Sequence, residues 1–88
     1  MGHLKNELLL SAIRQALKEL REKTTLSQDA VITDIAVQKN ITINLARIET
    51  GDGNISPSTI FLLCEYYKYS LSDFFTRVEE IDKQLKIK

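Results

Sequence analysis

Apolar positions recur three and four apart along residues 4–23 (LKNELLLSAIRQALKELREK), where Leu9, Ile13, Ala16, Leu17 and Leu20 form a stripe that no Gly or Pro interrupts. At 3.6 residues per turn this spacing gathers them on one side of an α-helix, with polar faces between. Leu4, Leu8 and Leu10 widen the apolar face at its start. Something has to cover the excess, either the C-terminal helix of the same chain or a second subunit. Thr24-Thr25 breaks the pattern, and Leu26 re-enters the core.

The next segment, SQDAVITDIAV, reads as a second helix with Ser27 as N-cap and Val31 and Ile35 inward at i, i+4. Asp29 in its first turn suits the helix dipole. The β-branched residues Val31, Ile32, Thr33, Ile35 and Val37 favour a strand locally. No partner strand is evident, and a lone strand is not stable, so helix is the expectation. Gln38-Lys39-Asn40 connects onward without a glycine; Asn40 tolerates a left-handed conformation.

Residues 42–50 (TINLARIET) are predicted as a third helix that Gly51 ends. Leu45 and Ile48 face the core and Ile41 packs just before them, whereas Thr42, Asn44 and Arg47 lie outward with Ile43 pointing the same way. Gly51-Asp52-Gly53-Asn54 is a loop. Ser56-Pro57 opens a fourth helix, reaching about Tyr67, with Ile60, Leu63, Cys64 and Tyr67 on one face; proline at the first helical position loses no hydrogen bond. Ser72-Asp73 opens a last helix to about Leu85, with Phe74, Val78, Ile81 and Leu85 as an apolar seam and a fraying tail over 83–88. The expectation is all-α: five helices in one domain spanning residues 1–88, with extended first and last helices.

Several of these pieces together carry a family likeness. Leu20-Arg21, Leu26-Ser27-Gln28, Arg47-Ile48-Glu49-x-Gly51, Ile60 and Ser70-Leu71-Ser72-Asp73-Phe74-Phe75 follow one another in order over residues 14–75. The run resembles the helix-turn-helix of the xenobiotic-response-element family, the lambda-repressor-like transcriptional regulators of bacteria and phages. The resemblance implies a five-helix DNA-binding domain whose third helix enters the major groove, with a dimer reading two half-sites. It implies that Gln28 holds phosphate, that Thr42, Ile43, Asn44 and Arg47 face base edges or the nearby backbone, and that Thr50 touches phosphate just beyond. Asn44 and Arg47 have the donor geometry for adenine and guanine edges, and Ile43 can meet a thymine methyl. It also implies an ion pair between Arg21 and Glu49. The chain departs from the family pattern between helices 2 and 3, where it is about three residues longer than a tight glycine-containing turn.

Charge pulls the other way. Twelve Lys+Arg balance twelve Asp+Glu, and residues 27–55 carry Lys39 and Arg47 against Asp29, Asp34, Glu49 and Asp52, a net of −2. A DNA reader is expected to be basic, since nonspecific affinity is mostly a Lys/Arg–phosphate term. The second class of function is therefore a protein-interaction module on the same fold with weak or no DNA binding.

Chemistry is otherwise sparse. His3 and Cys64 are the sole His and Cys, too few for a zinc site or a disulfide, and neither has a catalytic companion. Neither an enzyme, a cofactor nor a metal is expected. No apolar run approaches a membrane span and no signal peptide is visible, so a cytoplasmic protein is expected. A chain of 88 residues with two long apolar-faced helices is expected to be a homodimer, its interface drawn from Phe74, Val78, Ile81 and Leu85 and from Leu4, Leu8 and Leu10.

Overall fold

A computed structural model describes residues 6–51 and 54–87. Five helices follow in order: α1 (Glu7–Thr24), α2 (Gln28–Lys39), α3 (Leu45–Thr50), α4 (Pro57–Tyr66) and α5 (Leu71–Ile87), with no strand among the described residues. The β-branched stretch is helical because its ends and one face are held. Ser27 Oγ accepts the Ala30 N–H at 3.1 Å, and Val31 and Ile35 are completely buried.

Each boundary has a local cause. Asn6 caps α1 by accepting the Leu9 N–H at 3.0 Å. Thr25 closes it with φ 63°, an uncommon conformation for a β-branched residue. Asn40, also left-handed at φ 56°, closes α2 and takes the role glycine has in a shorter turn. Ser56 caps α4, with Pro57 behind it. At the other end Lys68 is left-handed at φ 58°, the Lys68 N–H reaches Glu65 O and the Tyr69 N–H reaches Cys64 O, the paired bonds of a Schellman ending. Ser70, rather than Ser72, opens α5: its Oγ accepts the Asp73 N–H at 3.0 Å. α5 continues to Ile87, so residues 83–87, expected to fray, are helical, and Lys88 lies outside the described residues.

The core gathers Ile13, Leu17 and Leu20 of α1, Val31 and Ile35 of α2, Leu45 of α3, Leu63 and Cys64 of α4, and Phe74, Val78 and Ile81 of α5. α1 packs chiefly along α5 and also meets α3. Two expectations change here. Leu10, not Leu9, is the buried residue at the start of α1, and Leu8 and Leu9 stay exposed. The α5 seam is covered within the chain: Phe74, Val78 and Ile81 are each 1 % exposed and Leu85 is half-buried against the core. Phe74, Val78 and Ile81, expected at a dimer interface, are therefore already covered within the chain, and Leu85 is covered in part. Leu4 lies outside the described residues. No described helix is long and apolar enough to cross a membrane.

Candidate nucleic-acid interface

The inner side of α3 is built around one carboxylate. Glu49 is 5 % exposed and accepts Arg21 Nε at 2.8 Å, Arg21 Nη2 at 3.0 Å and Gln28 Nε2 at 2.9 Å. Arg21 Nη1 also donates to Leu26 O at 3.0 Å, so one guanidinium ties α1, the α1–α2 turn and α3 together. The hydrogen bond to Glu49 raises the Arg21 pKa, with burial opposing and the carboxylate charge assisting. Burial, and next the Glu49 charge, hold the phenol of neighbouring Tyr67 well above its ordinary range.

Arg21 and Glu49 are thus brought together in bidentate geometry, and Gln28, expected at phosphate, donates to the same carboxylate. One N–H of its amide goes to Glu49, and the residue is half-buried. The sequence signal for this contact lies in spacing: Gln28 stands three before Val31 and seven before Ile35, which places it beside the buried face of α2.

On the outer side, α3 is shorter than expected. It begins at Leu45, so Thr42 and Ile43 belong to the connection and not to the helix. Asn44 is the N-cap, its Oδ1 accepting the Arg47 N–H at 3.1 Å. A cap needs non-helical backbone, and Asn44 has φ −105° and ψ 85°. Ile43 packs against the core and is not turned outward, while Ile41, expected to pack, is 41 % exposed. Thr42, Asn44, Ala46, Arg47 and Thr50 are exposed, as is Ile41. Thr50 Oγ1 donates to Ala46 O at 2.7 Å. Gly51 closes the helix through its N–H to Arg47 O at 2.6 Å; a Cβ there would collide with that same oxygen, which explains the glycine without any unusual φ.

Charge around α3 differs from the sequence count. Glu49 is neutralised by Arg21, and Asp34 accepts the Tyr66 hydroxyl at 2.6 Å, on the α4 side of α2. Burial, reinforced by that bond, pushes the Tyr66 phenol up to about 12. Meanwhile α1 contributes charges of both signs beside α3: Lys18 and Glu7 line the crevice containing Thr50 and Gly51, and Arg14 lines that crevice and the cleft containing Asn44 and Arg47. Arg14, although charged, is only 8 % exposed. Its position was legible, because Leu10, Arg14, Leu17 and Arg21 recur at four, three and four residues along one side of α1.

Among the described residues no group of His, Cys, Asp and Glu is placed to hold a metal ion. Cys64 is buried, and burial raises its thiol pKa, as for a core residue rather than a nucleophile. Compared with family models, curated proteins and solved structures, the chain matches none.

Proposed function

We propose that the chain is a sequence-specific duplex-DNA-binding regulator of the lambda-repressor-like helix-turn-helix type. In this reading α2 lies across the backbone and α3 faces the major groove. One observation carries it: the Arg21–Glu49–Gln28 cluster consumes the acidic charge of α3 on its inner side, while Arg47 and Thr50 stand outward beside the α1 cations. Arg47 is the residue for a guanine edge or a phosphate, Thr50 and Thr42 for the nearby backbone, and Asn44 contributes through its Nδ2 only. Gln28 positions α3 through its bond to Glu49.

A homodimer reading two half-sites belongs to the same proposal, but with a different contact surface. Phe61 at 53 %, Phe75 at 40 % and Leu71 at 37 % exposure form the apolar patch on α4 and α5 that a second copy would cover. That patch also favours the second reading, a protein-interaction module on this fold.

Selection from a pool of random duplexes by the immobilised chain at low salt separates the two. DNA binding is expected to enrich one sequence pattern, with a shallow salt dependence because few cations are available. A pool that emerges unenriched, with duplex binding undetectable at low salt, leaves the interaction module.

A further inference from the structure

A hollow of about 270 Å³ lies between α4 and the start of α5, lined by Phe61, Cys64, Glu65, Tyr69, Ser70 and Leu71. Phe75 stands one helical turn beyond Leu71 on α5 and is exposed, as are Leu71 and Phe61. We propose that a second copy of the chain docks here about a two-fold axis beside Leu71, the Phe75 ring of each copy seating in the hollow of the other. The pair closes when two copies lie on adjacent DNA half-sites, not in dilute solution.

Shape and charge select the occupant. An exposed ring and a hollow side by side on one surface are self-complementary, because a two-fold axis between them sets each ring opposite the other copy's hollow. Phe75 is held for that role. It meets the buried ring of Phe74 edge-on, with centroids 5.2 Å apart, so seating it in a partner costs little further freedom. The one charged residue in the lining, Glu65, is already paired with Lys39 of α2 at 2.7 Å. The hollow therefore gives a charged partner no handle, and apolar fit does the selecting. An aromatic anchor seated in a pocket of low charge is what the centre of a protein interface requires.

Area sets when the pair forms. At about 150–250 Å² for a whole aromatic side chain, the exposed parts of Phe61, Leu71 and Phe75 amount to roughly 200–300 Å² per copy. A stable interface takes about 800 Å² from each partner. So small a contact does not offset the loss of free tumbling when two dissolved chains meet. Held on neighbouring half-sites, two copies have already lost that freedom, and the same contact acts at an effective concentration in the millimolar range. The docking surface stands on the hollow and its rim alone; its dependence on DNA rests on the reading proposed above.

The test begins with sedimentation of the full chain from micromolar to millimolar concentration. A monomer is expected at the low end and a monomer–dimer equilibrium at the high end. Phe75→Ser and Phe61→Ser, both exposed and checked for folding by circular dichroism, are expected to abolish the pairing, whereas Leu8→Ser, exposed on α1, leaves it unchanged. A chain that stays monomeric at millimolar concentration, masses beyond a dimer, or a dimer untouched by the two phenylalanine variants overturns the docking. In a second arm, duplexes carry one or two copies of a selected half-site at varied spacing. Two copies at the right spacing are expected to bind about a hundredfold more tightly than one, a gain that Phe75→Ser removes while affinity for the single half-site is kept. Independent binding at every spacing, or a dimer already complete at micromolar concentration, overturns the dependence on DNA and leaves the DNA reading intact. A chain that pairs at millimolar concentration yet enriches no duplex keeps the docking surface and removes both that dependence and the DNA reading.

Discussion

α1 and α5 are held together by apolar surface, whereas α3 is held by charge. The long pair buries Leu17, Phe74, Val78 and Ile81 to 1 % exposure or less, and the ion contact between Arg77 and Glu19 at 3.0 Å is about one-third exposed to solvent. α3 has six residues, one fully buried apolar side chain (Leu45) and one buried carboxylate. A helix that short does not persist by its own hydrogen bonds. Its placement depends on Leu45 and on the three donors that converge on Glu49. The lesson is a division of labour: structural duty falls on the inner face of α3, and the outer face, with Ala46, Arg47 and Thr50, is exposed and is the one the proposed function offers to DNA.

The largest expected effect breaks the inner face. Glu49→Ala strands the Arg21 guanidinium in a half-buried site and is expected to lower stability by about 3–5 kcal/mol. Arg21→Ala, which leaves the carboxylate buried, should cost a similar amount. Urea unfolding midpoints read both. A loss below about 1 kcal/mol, the ordinary value of an exposed pair, would mean that charge does not hold α3.

Gln28→Ala is a milder version of the same cut. Glu49 keeps its Arg21 contacts and loses one neutral donor, so about 1 kcal/mol of stability is expected to go. An unchanged midpoint combined with weaker duplex binding at every sequence would instead return Gln28 to the phosphate backbone.

The α1–α5 side gives the smaller electrostatic effect. The hydrogen bond from Arg77 holds the Glu19 carboxyl below its ordinary pKa, with burial opposing and the Arg77 charge assisting. The folded chain therefore binds that proton less readily than the unfolded one. The contribution is fully present above the ordinary glutamate range and is lost as pH falls through the lowered folded value. Because both side chains are about one-third exposed, Glu19→Gln is expected to cost no more than about 1 kcal/mol at neutral pH. The cost should disappear in strong acid, read as converging unfolding midpoints of the two proteins.

How much of this was legible in the sequence follows from the same contrast. Apolar spacing together with cap and stop signals located the helices, and α2 needed in addition the lack of a partner strand; burial of Val31, Ile35, Leu63 and Phe74 agrees with their spacing. The caps at Ser27 and Ser56 were legible because their bonds are local. What was missed depends on tertiary neighbours. Nothing in the spacing of Phe74, Val78 and Ile81 says whether α1 or a second copy covers them. Asn44 has the chemistry of a base reader and of a cap, and the backbone at the start of α3 decides for the cap. Ile43 and Ile41 exchange roles because the longer connection is not helical and does not obey a 3.6-residue period. Arg14 sat on the apolar line of α1, and its charge concealed that position.

The division between the two faces of α3 is tested most directly by Arg47→Ala, with duplex affinity and unfolding midpoint measured on the same protein. The substitution is exposed, so stability is expected to move by no more than about 0.5 kcal/mol. Affinity for a selected duplex is expected to fall by about 1–3 kcal/mol, with discrimination relaxed at one base pair if Arg47 reads a base and lost evenly if it holds a phosphate. Unchanged affinity, or a loss of affinity that only follows a loss of stability, would contradict an outer face set apart for DNA.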